Sequence, residues 1–135
     1  MSETRYLALD DVVRLHERIM RGLGLQPQGV RDVNALESAI MRARMAGHYE
    51  GADLIRQGAL MAIGISQAQA FVDGNKRTAF ISLDTFLYRN GLEFIGQPVE
   101  LARQLELVAE RVGERDAATD DFEAWLRERT APLTP

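Results

Sequence analysis

Between residues 71 and 78 the chain reads Phe71-Val72-Asp73-Gly74-Asn75-Lys76-Arg77-Thr78, which brings together the residue types that phosphate chemistry requires. Gly74 lets the backbone bend where a side chain would clash. A helix starting near Asn75 leaves its first backbone N–H groups, from about Asn75 to Thr78, without intrahelical acceptors and at the positive end of the helix dipole. Lys76 and Arg77 add two cations beside those donors. Asp73 adds a carboxylate of the sort that holds Mg²⁺ while substrate phosphates complete its shell. The alternative is a helix that Asp73 and Asn75 merely cap, with Lys76 and Arg77 solvated. The position of the cluster between two buried segments favours the phosphate site.

Those two segments must carry it. Upstream, Leu54, Met61 and Ile65 with Gly58, Ala59, Ala62 and Gly64 predict a helix that is apolar on nearly every side, as in a domain centre. Asp53 stands ready to cap it. Downstream, Ala79, Phe80, Leu83, Phe86 and Leu87 recur at helical spacing until Asn90-Gly91, a stop signal. The octapeptide therefore joins two core helices.

At 135 residues the chain has the length of one domain, 1–135, with room for a core of several helices. A net charge of −4 argues against direct nucleic-acid binding, which normally needs a basic face. The absence of cysteine excludes disulfides, thiolate metal sites and cysteine nucleophiles. The start, Met1-Ser2-Glu3-Thr4-Arg5, lacks a signal-peptide pattern, and no apolar run approaches a membrane span, so a cytoplasmic protein with no membrane partner is expected.

The remaining elements follow from periodicity. Val12, Leu15, Ile19 and Leu23 predict an amphipathic helix capped by Asp10 and ended by Gly22-Leu23-Gly24. His16 on it is read as a half-buried histidine with a backbone partner rather than a ligand. Asp32 or Asn34 caps a second helix through Leu36, Ala39, Ile40 and Ala43, ending near Ala46-Gly47, with Arg42 and Arg44 most simply solvated, or either facing an acidic partner. Gly47-His48-Tyr49, flanked by a second glycine at 51, predicts an exposed flap or a plain connector. Leu92-Glu93-Phe94-Ile95 is a short strand or extended return. Pro98 opens a helix through Val99, Leu101, Ala102, Leu105 and Val108, closed by Gly113. A last helix starts at Thr119 or Asp120, where Asp120 and Glu123 form a capping box, and anchors through Trp125. The tail from Ala131 to Pro135 is expected to fray.

The octapeptide resembles the central motif of the Fic/Doc family, specifically its Doc (death-on-curing) branch. The family pattern is His-x-Phe-x-(Asp/Asn/Glu)-(Gly/Ala)-Asn-(Lys/Gly)-Arg, and seven consecutive positions from Phe71 to Arg77 agree with it. The likeness extends over Leu15-His16-Glu17-Arg18, Leu36-Glu37-Ser38-Ala39 and Phe86-Leu87-Tyr88-Arg89-Asn90-Gly91. It implies an all-α, compact helical bundle with a small flap before the central helix. Classical Fic proteins move AMP to a hydroxyl and usually have Gly where this chain has Lys76. The Doc branch has Lys there and moves the terminal phosphate of ATP to a threonine of elongation factor Tu.

By position, the resemblance implies that Asp73 holds Mg²⁺ and that Asn75 and the Gly74–Lys76 backbone, with the helix start up to Thr78, cradle phosphate. Lys76 and Arg77 would balance charge on the phosphoryl group. The flap at Gly47, His48 and Tyr49 would align the target, and a Phd-like antitoxin would fold its disordered tail into a groove on the surface.

One position departs from the pattern. The family's His is Gln69 here, followed by Ala70 where many members have Pro. That His takes the acceptor's proton as a general base, and an amide cannot. A loose phosphoryl-transfer transition state tolerates a nucleophile that gives up its proton late, so Gln69 would then only orient the hydroxyl. Gln69 is equally compatible with a natural pseudoenzyme that binds nucleotide or a partner, and with a substitution introduced to detoxify a toxin. Losing a general base typically costs roughly 10²–10⁴ in rate. His48 is the one nearby candidate to replace it.

Overall fold

A computed structural model describes residues 3–134; Met1 and Ser2 of the start, and Pro135 of the tail, lie outside the described residues. Among the described residues there are six helices and one pair of very short strands. Helix α1 (Leu9–Gly22) begins after Ala8, not at Asp10. Asp11, one turn in, accepts the Ala8 N–H at 2.8 Å and so ties the helix start. Its inward stripe is Val12, His16 and Met20, four residues apart, whereas Leu23 is 47% exposed. The spacing of the apolar residues alone placed the face about a sixth of a turn away, because a histidine supplies its middle position.

Helix α2 (Val33–Glu50) is capped by Asp32, whose carboxylate accepts from Ala35 N, and buries Leu36, Ala39, Ile40, Ala43 and Ala46. Helix α3 (Leu54–Ala68), capped by Asp53, is buried continuously from Gln57 to Ser66. It packs against α2 and α4 (Asn75–Arg89) and touches the two later helices, α5 (Pro98–Glu110) and α6 (Arg115–Glu128). Small residues along α3 permit neighbours on every side, so the most apolar helix becomes the centre. The buried side chains form one cluster around it, with Phe71, Phe86 and Phe122 among the largest.

Two expectations for the C-terminal third are corrected. Helix α6 starts at Arg115, one turn before Thr119, and the supposed capping box does not form. Thr119 is buried and donates its hydroxyl to Arg115 O, while Asp120 and Glu123 both take the guanidinium of Arg56 at 3.1 and 2.7 Å. Those carboxylates lock α6 to α3 instead of capping it. Nor does the described tail fray: β2 (Thr130–Pro132) pairs antiparallel with β1 (Leu92–Phe94), in the register Leu92–Pro132, Glu93–Ala131 and Phe94–Thr130. Leu133 adds a bond to Gly91 O. Trp125 anchors this corner, half-buried against Phe94 and Phe122 with Arg129 over its ring at 4.6 Å. Among the described residues no helix is long and apolar enough to cross a membrane.

Candidate active site

The loop between α3 and α4 is built by three braces. Gln69 ends α3 in the left-handed conformation (φ 52°, ψ 38°), the only non-glycine described residue with positive φ. Such a conformation is a local cost that surrounding contacts must hold in place. Here its side-chain amide donates back to Ser66 O at 3.0 Å, and its own carbonyl accepts the Arg31 guanidinium at 2.7 Å. Arg31 N and Asp32 N both donate to Ala70 O, and Val30 bridges Phe71, so the α1–α2 connector flanks the loop like a short strand. On the other side His16 of α1 donates from Nε2 to Asp73 O at 2.9 Å and stacks on Phe71, centroids 3.7 Å apart.

The third brace is internal. Asn75 accepts the Phe71 N–H at 3.1 Å and donates to Phe71 O at 2.9 Å, so its amide staples the loop's own backbone. It is buried and turned away from solvent. Thr78 is also spoken for, since its hydroxyl and its N–H both go to Gly74 O. Gly74 N–H is taken by Asp73 Oδ1 at 2.8 Å. The expected cradle is therefore narrower than its sequence suggested: Asn75 and Thr78 shape it through their side chains from within. The backbone N–H groups of Asn75, Lys76 and Arg77 open α4 with no side-chain cap, because Gly74 occupies the N-cap with φ 81°.

Around those donors stand three charged side chains, all exposed. Arg77 has no ion-pair partner among the described residues. Lys76 reaches Glu106 of α5 at 2.9 Å, and that contact, reinforced by Arg103, holds the Glu106 carboxyl below its usual range. The Asp73 carboxylate keeps its second oxygen outside the loop hydrogen bonds. A cavity of about 500 Å³ adjoins the loop, lined by Gln69, Lys76, Ser66 and Ile63 on one side and Arg111 and Arg115 on the other.

Residues 6–87, which contain α1 to α3 and most of α4, match the model of the Fic/DOC family. The chain belongs to the Fic/Doc family. Over 99 residues it is 32% identical to the protein kinase doc of Escherichia phage P1, covering 73% of this chain and 77% of that one. Over 125 residues it is 31% identical to the toxin Doc of Mycolicibacterium smegmatis (strain ATCC 700084 / mc(2)155), covering 91% and 92%. These relatives put it in the Doc branch of the Fic/Doc family.

The expected flap of this Fic/Doc chain takes another form. Gly47, His48 and Tyr49 belong to the last turns of α2, and the break comes only at the left-handed Gly51. Gly47 lies inside the helix with the Gln57 amide against it: a Cβ there would fall 2.7 Å from that amide, which reaches across to Ala52 O. Tyr49 is 72% exposed and His48 rests edge-on against it, without a hydrogen bond to the motif loop among the described residues. Arg42, expected to be solvated, is half-buried, and burial with Arg115 nearby lowers its pKa. Two residues of the site, Arg31 and Glu106, escaped the sequence reading, while the backbone partner expected for His16 is Asp73 O and its ring is buried rather than half-buried. Of the three, only His16 carried a signal, since it occupies the helical position between Val12 and Met20.

Proposed function

We propose that this Doc-branch protein is the toxin of a type II toxin–antitoxin pair and transfers the terminal phosphate of ATP to a hydroxyl of a translation factor of the elongation factor Tu kind. The observation that carries the reading is the uncapped start of α4, where three backbone donors lie beside Lys76 and Arg77. Such an arrangement binds the equatorial oxygens of a phosphoryl group and stabilises charge spreading over them. Lys76 at the position where AMP-transferring relatives have Gly supports phosphate transfer. The names of the two relatives, a protein kinase and a toxin, support the same assignment.

Asp73 is the residue to hold Mg²⁺. Among the described residues no group of three or more acidic or histidine side chains clusters to cage a metal, so the fit is to a hydrated ion carried in with the nucleotide. When bound, Mg²⁺ would neutralise phosphate charge. The chain's own work is then positional. Asn75 and His16 hold the loop rigid, the α4 N–H groups and Arg77 grip phosphate, and Lys76 exchanges Glu106 for phosphate oxygens.

Gln69 favours a second reading, a nucleotide-binding module without turnover. Its amide is tied back to Ser66 O and offers no base. For the partner, an apolar groove of about 450 Å³ formed by Ile19, Phe80, Ile81, Pro98 and Val99 ends at Lys76 and Arg77. An amphipathic tail with an acidic residue at that end, of the Phd-like kind, suits it, because Val99 is left 76% exposed. A cytoplasmic location accords with such an acceptor.

Thermal unfolding with ATP and Mg²⁺ tests the binding half of the proposal. At millimolar nucleotide the melting temperature should rise, and Asp73→Ala and Arg77→Ala should reduce the rise. No rise with the unaltered chain would remove the phosphate site.

A further inference from the structure

His16 stands outside the motif in sequence yet inside it in space. Its ring is only 2% exposed, lies nearly parallel to Phe71 (11°), and puts Nε2 2.9 Å from Asp73 O. A carbonyl only accepts, so Nε2 carries the hydrogen. In the neutral ring Nδ1 is then a lone pair, and it is buried with no partner. A phenyl ring could stack on Phe71 without that orphaned acceptor. What imidazole adds is a single donor aimed at Asp73.

The bonded carbonyl belongs to the same planar peptide unit as the Gly74 N–H. That N–H donates to Asp73 Oδ1 at 2.8 Å. One rigid plane is thus pinned at its oxygen by α1 and carries the carboxylate on its nitrogen. Gly74 closes the contact, since a Cβ there would fall 3.5 Å from the His16 ring and 3.0 Å from Met20 Sδ.

Resting on the phosphate-transfer function proposed for this loop, we propose that His16 is a positioning residue: through the Asp73–Gly74 peptide it sets the direction of the Asp73 carboxylate toward the nucleotide's divalent cation. It touches neither substrate nor metal and acts through the backbone of the loop.

The test uses the full chain with His16→Gln, which keeps a donor near the Nε2 position, and His16→Phe, which keeps the stack without a donor. Calorimetry of ATP binding with Mg²⁺ and with EDTA gives the factor by which the cation tightens binding. That factor should survive in the Gln variant and fall by about tenfold in the Phe variant, the value of one charge-assisted contact, while EDTA affinities stay alike. An unchanged factor in folded His16→Phe protein overturns the proposal, whatever happens to its melting temperature.

Nuclear magnetic resonance of the unaltered chain and both variants keeps the question separate from nucleotide binding. The His16 ring should show the Nε2–H tautomer. The Gly74 amide should show a carboxylate-bonded shift and slow exchange, retained with Gln and lost with Phe. If the unaltered chain binds no ATP, the functional reading fails and these signals alone decide the role of His16. A ring protonated at Nδ1 alone, or a Gly74 signal indifferent to Phe, overturns it. Should His16→Phe not fold, the tautomer and the Gly74 signals of the other two proteins decide in the same way.

Discussion

Replacing Asn75 with alanine separates two roles that the residue type alone leaves open. The side chain is bonded to both the N–H and the C=O of Phe71, a residue with no exposure at all. Truncation orphans both groups. Each such loss costs about 1–3 kcal/mol, and water entering the space left by the amide recovers part of it, so the expected destabilisation is about 2–4 kcal/mol. For a chain of this length that corresponds to a fall in melting temperature of about 8–16 °C. Urea unfolding without nucleotide, followed by helical circular dichroism and Trp125 fluorescence, measures it. Asn75→Asp should not rescue stability, because it keeps the acceptor for Phe71 N–H but sets an oxygen against Phe71 O. A loss below about 1 kcal/mol with alanine, accompanied by weaker ATP binding, would refute the staple and make Asn75 a solvent-facing phosphate ligand.

Two further outcomes probe the electrostatics. Glu106→Gln should tighten ATP binding about twofold to fivefold, the range of an exposed ion pair, by freeing Lys76, and calorimetry should find the gain shrinking as salt is added. Burial, with Glu93 nearby, raises the pKa of Asp84 above 3.8. A carboxyl with a folded pKa above its unfolded one stabilises only while protonated, so its ionised form costs stability at neutral pH and ceases to do so as pH falls below the unfolded value. Asp84→Asn should therefore raise the melting temperature at pH 7 and leave it unchanged near pH 3.

Much of the architecture was legible because it depends on local rules. The continuous apolar run of α3 marked the central helix, Asp32 and Asp53 marked two helix starts, and Asn90-Gly91 marked a stop. The α3–α4 loop stood out in the sequence as the candidate site because a glycine, two cations and a carboxylate rarely gather between buried helices. What remained hidden depends on contacts distant in sequence. The left-handed Gln69 is held by Arg31, 38 residues away, and the inward turn of Asn75 follows from an amide that can serve phosphate and backbone equally well. Gly47 reads as a break, yet α2 runs through it, with the Gln57 amide packed in the space that a side chain would take. Three-residue strands such as Thr130–Pro132 exist only because a partner is present, so the tail read as frayed.

The most direct measurement is the intact mass of purified elongation factor Tu after incubation with ATP, Mg²⁺ and either this protein or its Gln69→His variant. The loop geometry predicts a phosphate increment, larger with the variant because a general base is restored at the end of α3. An adenylate increment would contradict the role given to Lys76. No increment with either protein would contradict phosphate transfer to this acceptor.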